Sequence, residues 1–502
     1  TAEGMEAAID GAAAVPERTW HLPFGDVAAV WKVLAELDIA GLVDSVVGAS
    51  RGRVSVGTYL ALAVLHRVTA PDDPLDLAAW WSRTAAQRFV RPRPQQNDLH
   101  HRKFWRCTER LTQPRIERIE AALHRKLLRG FPAGAPVLAV DLPDFATYVD
   151  GATGDARLAG LCLLITLDGA VPLLSHGYQY GRSPQPAGDA VERLIARHRT
   201  LAGTCPVTVI ADTAQAVTAS TGSLSDTHLV APLPLGDHPA LLGATARRPV
   251  DHRRLPGVTA LDTRTRVTGS DRRVVVVHSR NLQAAQDRTL VQDLSHATRR
   301  LAGLDSALRT RSWLPSRDEA AAEVARTARF RWSEQVLSTT LDGTAPGGLR
   351  LHWAVDETAQ ARLRHELFGK QLIATDQDEW TVAQVITAYR TRYHLTSTLR
   401  HRSGAMVTAP VERWRWTEPR VAVHALISVL AATAMHLMRR TAEHAGLHLS
   451  VRELLDQLAG IQETHLRYTS TGGRPPTRRI LTERDALQQR LFELFELHRY
   501  AP

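Results

Sequence analysis

Cysteine is scarce in this chain of 502 residues. The three cysteines, Cys107, Cys162 and Cys205, lie far apart in the sequence, and no two of them form a CxxC pair. This pattern excludes a disulfide-stapled scaffold and a cysteine-rich zinc fold, and it favours a reducing compartment. The chain also shows no basic start followed by a short apolar stretch. We therefore expect a cytoplasmic protein without a secretory signal.

Lysine is equally scarce, because only four of the 62 basic residues are lysine and the rest are arginine. The basic residues outnumber the 52 acidic ones, which gives a net charge of +10. Since the planar guanidinium binds phosphate through two hydrogen bonds, this balance favours a nucleic-acid partner. The codon usage of a GC-rich genome is the alternative source of the arginine excess, but it does not explain the positive net charge.

Long hydrophobic runs are nearly absent, although 44% of the residues are hydrophobic. Residues 421–438 form one mostly apolar run of a length that could cross a membrane. His424 and His436 interrupt this run and arginines flank it, so we expect a buried core helix and no membrane partner.

The apolar periodicity changes along the chain. Spacings of three and four residues predict helices from 24 to 131, whereas short apolar runs at 137–140, 161–167, 171–174 and 207–211 predict strands. A helix over 189–201 interrupts these strands, and Asp168-Gly169 between two runs predicts a hairpin. This order predicts a mixed α/β sheet. Further strands are expected at 273–278, 348–355 and 371–375, and helices at 286–308, 381–402, 421–438 and twice within 451–497.

These patterns predict six segments along the chain. They are a flexible tail (1–19), a helical domain (20–132), a first mixed α/β segment (133–235), a second mixed region (236–370), a strand and helix (371–405) and a helical carboxy-terminal region (406–502).

The helix predicted at 381–402 and the residues that follow it carry the most informative constellation. Tyr389, Arg392, Thr396 and Ser403 stand at offsets of 0, 3, 7 and 14 residues. At about 100° per residue these offsets fall within an arc of roughly 60°, so the four residues share one face. The strand before this helix would bring that face beside the strands that carry Asp141 and Asp212.

This constellation resembles that of the insertion-sequence DDE transposases, whose ribonuclease-H-like core is interrupted by a large insertion. In that family the helix carries tyrosine, arginine, glutamate and lysine, separated by two, three and six residues. The spacing here is the same, but Thr396 replaces the glutamate and Ser403 the lysine. The segments PVLAVDLPDF and PVTVIADTAQ resemble the two aspartate strands, and ELFGKQLIATDQDEWT and PVERWRWTEPRVAVHALISVLA resemble the surroundings of the glutamate helix.

The resemblance covers residues from about 24 to 470 and includes a helical amino-terminal region that binds DNA in the family. It implies a ribonuclease-H-like mixed sheet whose first part is 133–235 and whose completion is 371–405, with an inserted mixed region (236–370) between them. It implies further that the amino-terminal helical domain (20–132) is DNA-binding-like and that the carboxy-terminal region is helical. It also implies that Asp141 and Asp212 descend from the metal-binding aspartates, and that the chain works as a homodimer.

The departures from the family pattern predict a loss of catalysis. DDE enzymes use three carboxylates to hold two divalent ions, and the neutral hydroxyl of Thr396 is a poor ligand for magnesium. No aspartate or glutamate occurs between Tyr389 and Pro410, so no neighbouring residue replaces the missing one. A glycine-serine-lysine-aspartate segment of the family is also missing where GATGDARLAG follows the first strand. We therefore expect a divergent or domesticated transposase that holds no metal and no other cofactor.

Two functions remain open on this basis, and they make different predictions about whether the chain is an enzyme. In the first, the chain is a DNA-binding protein whose duplex contacts include Arg392, Arg400, Arg402, Arg413 and Arg415. In the second, the old cleft performs metal-independent acid–base chemistry on a small molecule. Its candidate acids and bases are Asp144, Tyr148, His176, Tyr178, Tyr393 and His394. The positive charge favours the first function.

Overall fold

The structure is a computed structural model. It describes residues 15–48, 52–71, 73, 75–131, 137–149, 156–179, 186–203, 206–211, 227–243, 247–251, 255–267, 269–310, 315–344, 347–399, 418–469 and 476–502. These residues divide into two compact units, the first from within 15–210 and 390–502 with Thr227, and the second from within 228–389 with Ala211.

The first unit starts with a short strand followed by helices. These elements are β1 (Arg18–Pro23), α1 (Gly25–Glu36), α2 (Ile39–Val47), α3 (Val56–Thr69), α4 (Leu77–Ser82), α5 (Ala86–Phe89), α6 (His101–Thr108) and α7 (Gln113–Leu128). Ser55 caps α3 by accepting a hydrogen bond from the Thr58 N–H, as serine commonly does at a helix start. Phe24, Leu60 and Phe104 are fully buried in the core of this region. The helices expected between 24 and 131 are thus present.

The sheet of the first unit combines antiparallel and parallel strand pairs. Its elements are β2 (Val137–Val149), β3 (Ala156–Thr166), β4 (Pro172–Gln179), α8 (Pro186–Ala202) and β5 (Val207–Ile210). The strands pair in the order β4-β3-β2-β5. The pairs β2·β3 and β3·β4 are antiparallel, whereas β5 is parallel to β2. The predicted mixed α/β class is therefore confirmed.

The turn between β3 and β4 is the predicted hairpin. Gly169 and Ala170 adopt φ of +86° and +56°, and glycine reaches this left-handed region without strain. Thr166 Oγ1 donates a hydrogen bond to the Asp168 carbonyl oxygen at 2.6 Å, which closes the turn. The Asp-Gly pair predicts this hairpin correctly because the conformation of the turn depends on adjacent residues alone.

The first core strand is longer than the run at 137–140 from which it was predicted. β2 continues to Val149, and its pairing with β3 shifts in register between Leu142 and Ala146. Pro143 lies within this shift, and proline has no N–H to donate to a ladder. The proline therefore interrupts the pairing without ending the strand.

The second unit is built around antiparallel strands and a long helix. Its elements are β6 (Thr227–Leu233), α9 (Pro239–Leu242), β7 (Arg248–Pro249), β8 (Val258–Val267), β9 (Ser270–Ser279), α10 (Arg280–Arg309), α11 (Arg317–Ala328), α12 (Ser333–Val336), β10 (Leu337–Asp342), β11 (Arg350–Val355), α13 (Glu357–Glu366), β12 (Lys370–Thr375) and α14 (Val382–Leu399). The strands pair antiparallel in the order β6-β12-β9-β8-β7, and β10 pairs with β11. Leu290, Leu301 and Phe368 are buried in a core formed with α10. α14 belongs to the second unit up to Tyr389 and to the first unit from Arg390.

The carboxy-terminal part of the first unit contains both helices and strands. Its elements are α15 (Glu418–His444), α16 (Val451–Ala459), β13 (Gln462–Arg467), β14 (Thr477–Leu481) and α17 (Ala486–Leu494). In the described part of the chain, α15 is the helix long and apolar enough to cross a membrane, and most of its apolar stretch is buried within the fold.

A three-stranded sheet differs from the sequence expectation, which assigned part of β1 to a tail and β13 and β14 to a helical region. The strands pair antiparallel in the order β1-β13-β14, with Arg18 opposite Arg467. His21 Nδ1 and Thr464 Oγ1 lie 2.9 Å apart across the β1·β13 pair. These strands are mostly polar, so they lack the apolar alternation by which strands are recognised.

Candidate functional site

The two predicted aspartates belong to neighbouring strands in the sequence pattern: Asp141 lies on β2, and Asp212 comes two residues after the end of β5. Asp141 follows Val140 on β2, and Val140 pairs with Ile210 on the parallel strand β5. The side chain of Asp141 and the whole of Asp212 lie outside the described residues. Their role as former metal aspartates therefore stays a prediction.

α14 carries the predicted tyrosine and arginine. Tyr389 is buried, with 3% of its surface exposed, and Arg392 is half-buried. The Arg392 guanidinium stacks on the ring of the exposed Tyr393 at 4.6 Å from its centroid, and its Nη2 donates to the Tyr393 hydroxyl at 2.8 Å. The structure thus brings Arg392 and Tyr393 together, although the sequence analysis assigned them to different functions. The side chains of Thr396 and His394 lie outside the described residues.

A buried arginine fixes the chain just before α14. Arg273 on β9 forms a two-pronged ion pair with Asp262, at 3.0 Å from Nε and 2.8 Å from Nη2. Its Nη1 donates to the carbonyl oxygens of Gln377 at 2.6 Å and Trp380 at 2.8 Å. These bonds hold the turn between β12 and α14 in one geometry, because a guanidinium presents its donors in a rigid plane. Arg273 therefore positions the amino-terminal end of α14.

The start of α14 also has a local signal in the sequence. The Thr381 N–H donates to Gln384 Oε1 at 2.8 Å, and the Gln384 N–H donates to Thr381 Oγ1 at 3.3 Å. This reciprocal pair is a capping box, which satisfies two backbone donors at a helix start. The capping box explains why the helix expected to open at residues 380–381 does so.

His176 is the remaining predicted acid–base residue whose side chain the structure describes. It lies on β4 and is half-buried. Burial lowers its pKa, and the charges of Arg193 and Arg197 lower it further. His176 is therefore neutral at neutral pH. The side chains of Asp144, Tyr148 and Tyr178, and the residues Arg400, Arg402, Arg413 and Arg415, lie outside the described part of the chain.

One face of α7 carries a row of exposed arginines that the sequence analysis did not single out. Arg118, Arg125 and Arg129 are exposed, and offsets of 7 and 11 residues place them within an arc of about 40°. The opposite face is buried and carries Ile116, Ile119, Glu120, Leu123, His124 and Leu127. We call Arg118, Arg125 and Arg129 the α7 arginine row. The spacing of these arginines is a signal in the sequence, but the prediction of this helix used only its apolar residues.

The positive charge around the α7 arginine row has few local counterions. Residues 101–131 contain nine arginines and lysines but only three glutamates. Arg102 and Arg106 on α6 are exposed as well. No member of the row forms an ion pair with any residue in the described part of the chain. Its guanidinium groups are thus available to an external anion.

A buried polar network anchors α7 to the sheet and to α8. Glu120 Oε2 accepts a hydrogen bond from Arg197 Nη2 at 3.1 Å, and Glu120 Oε1 accepts one from the Ser175 hydroxyl. Arg197 Nη1 donates to the Ser175 carbonyl oxygen at 3.1 Å. Burial raises the pKa of Glu120, while the positive charge of Arg197 opposes that rise. Because Glu120 is buried and paired with Arg197, its negative charge does not offset the arginines on the exposed face of α7.

Two buried histidines join the same helices. His124 on α7 and His198 on α8 are fully buried, and their Nε2 and Nδ1 atoms lie 2.9 Å apart. Burial lowers the pKa of His124 to about 4, so both rings are neutral near neutral pH. Among the described residues, no three histidine, cysteine or carboxylate side chains are grouped to hold a metal ion.

Comparison with known proteins gives a loose structural likeness. No family model matches the chain, and no curated protein matches it either. Among solved structures, the chain is similar to the cryo-EM structure of the piggyBac transposase synaptic complex with hairpin DNA, with a TM-score of 0.34 and 9% sequence identity. The match covers 88% of this chain and 82% of the piggyBac chain.

Proposed function

We propose that this protein binds duplex DNA through its amino-terminal helices and does not cut or join DNA strands by a metal mechanism. The α7 arginine row is the observation that carries the DNA-binding part. The part on catalysis rests on the sequence, in which Thr396 stands where the resembled family has its third carboxylate.

The geometry of the α7 arginine row suits a phosphate backbone. A rise of about 1.5 Å per residue separates Arg118 from Arg125 by about 10 Å and Arg125 from Arg129 by about 6 Å along the helix axis. Each guanidinium can bind a phosphate through two parallel hydrogen bonds. Contacts of this kind position a protein on the duplex and read no sequence, so we expect binding without strong sequence preference.

The experiment measures the fluorescence anisotropy of a labelled duplex titrated with the full chain. We expect saturable binding at about 50 mM salt and a steep loss of affinity towards about 200 mM, because each neutralised phosphate releases condensed counterions. A variant in which Arg118, Arg125 and Arg129 are changed to glutamine should bind more weakly. The matched control changes three exposed arginines of the second unit, Arg248, Arg288 and Arg299, to glutamine. Absence of wild-type binding at about 50 mM salt would contradict the proposal.

The proposal on catalysis is tested separately with Mg²⁺ and Mn²⁺. A radiolabelled or fluorescent duplex should stay intact when the protein and either ion are added, because two carboxylates hold a two-metal centre poorly. Metal-dependent nicking that disappears in the Asp212→Ala variant would show that the catalytic part is wrong, whatever the DNA affinity.

A further inference from the structure

A polar cavity of about 520 Å³ opens in the amino-terminal helical region, and no residue of the α7 arginine row lines it. Its volume lies within the range of about 300–1,000 Å³ typical of small-molecule sites. The lining residues are Arg53, Trp81, Ser82, Gln87, Arg93, Pro94, Gln95 and Gln96. Two cations line it, and the described lining residues include no carboxylate, so the cavity suits an anionic ligand.

One of the two arginines is held in place by a neighbouring amide. Gln87 Nε2 donates to the carbonyl oxygens of Trp81 at 3.1 Å and Ser82 at 3.4 Å, which orients the glutamine. Gln87 Oε1 then accepts a hydrogen bond from Arg93 Nη2 at 3.4 Å. An arginine has five N–H donors, so Arg93 keeps further donors for a ligand while its orientation is restrained. A restrained guanidinium loses less entropy when it binds.

The second arginine reaches the cavity from another part of the chain. Arg53 lies in the segment before α3 and is exposed. It forms no hydrogen bond or ion pair with any residue that the structure describes. Two guanidinium groups from separate segments can bind different oxygens of one phosphate.

The exposed part of the remaining lining is formed by amide side chains. Trp81 is 4% exposed and Pro94 is buried, so both form the floor of the cavity and leave little apolar surface open. Gln96 is exposed at the cavity, and its amide offers a donor and an acceptor side by side. Amide side chains pair in this way with the edges of nucleobases.

We propose that this cavity binds a nucleotide, with the phosphate on Arg53 and Arg93 and the polar edge of the base on the Gln96 amide. The nucleotide is either a free mononucleotide or one residue of a single DNA strand, since both present the same chemistry. The proposal does not depend on duplex binding, because it uses none of the α7 arginines.

The experiment titrates the full chain with 2′-deoxyadenosine 5′-monophosphate by isothermal calorimetry and, in a second arm, with a labelled single-stranded oligonucleotide by anisotropy. Arg53→Gln and Arg93→Gln should each lower the affinity for the probe that binds by about tenfold, as the loss of a charged hydrogen bond does. Deoxyadenosine without phosphate should bind the wild type at least about tenfold more weakly. The control is Arg83→Gln, because Arg83 is exposed, pairs with Asp73 at 3.5 Å and does not line the cavity.

Each arm has a defined meaning. Binding of the mononucleotide that both cavity variants weaken identifies a free nucleotide as the ligand. Binding of the oligonucleotide alone, weakened by the same variants, identifies a strand as the source. If wild type binds neither probe, or if both cavity variants bind like wild type while circular dichroism shows them folded, the proposal is overturned. Since duplex binding is measured with the α7 variant, failure of either proposal leaves the other intact.

Discussion

The salt dependence of DNA binding offers the sharpest test of the α7 arginine row. The perturbation is the triple change of Arg118, Arg125 and Arg129 to glutamine, which keeps the length of the side chains but removes their charge. All three are exposed, and none has an ion pair among the described residues, so no internal ion pair is broken. The folded state should therefore be retained, and only the external interaction should change.

The magnitude follows from counterion release. The logarithm of the affinity falls with the logarithm of salt concentration by about 0.9 for each neutralised phosphate. If each of the three arginines binds one phosphate, the slope of the variant is smaller in magnitude by about 2.7. Between about 50 and 200 mM salt, the wild type should consequently lose about 40-fold more affinity than the variant.

The assay is fluorescence anisotropy at four or more salt concentrations, with thermal melting to verify that the variant is folded. The control with Arg248, Arg288 and Arg299 changed to glutamine has the same change in net charge. If the α7 arginines contact phosphates directly, the salt slope of the α7 variant will differ from that of the control variant. If only the overall charge matters, both variants will have the same salt slope. Equal slopes in the two variants would refute the assignment of the α7 arginine row to the phosphate backbone.

The remaining predictions concern stability and are measured by urea denaturation. Burial lowers the pKa of His66 to about 4, so between pH 6.5 and 4 the unfolded state binds a proton that the folded state does not. The free energy of unfolding therefore falls with falling pH in this window. Between pH 7 and 5 the His66→Gln variant should lose about 2 kcal/mol less of it than the wild type does. An equal loss in the two proteins would contradict a neutral buried ring. Arg197→Met leaves Glu120 buried without its cation and should cost about 3–5 kcal/mol, and a loss below 1 kcal/mol would contradict the pairing. Arg273→Lys should cost about 1–3 kcal/mol because lysine cannot form the planar set of bonds to Asp262 and the turn before α14, whereas a neutral result would remove Arg273 from its positioning role.

The candidate site was predictable in part. Tyr389 and Arg392 were expected on one helix, and the structure places both on α14. The contact between Arg392 and Tyr393 was not expected, because adjacent helical residues point about 100° apart and only the long arginine side chain can fold back onto the ring. The α7 arginine row was not predicted, for a different reason. Which arginines are exposed and unpaired depends on where every acidic residue lies in space.

Local pattern by itself determined the elements that depend on near neighbours. The hairpin at Asp168-Gly169, the helix that Thr381 opens and the alternation of core strands and helices all follow from a few adjacent residues. These features are encoded locally because turn chemistry, capping and apolar periodicity act over one or two turns of the chain.

Tertiary structure alone decided the features that join distant residues. The β1·β13 pairing joins residues 439 to 449 positions apart, and its polar strands are stable because each supplies backbone partners of the other. The continuation of β2 past Asp141 likewise depends on β3 as a partner. Glu120 became a buried ion-pair member only when α7, β4 and α8 packed together. Such contacts are set by the packing of the whole chain, which no short window of the sequence contains.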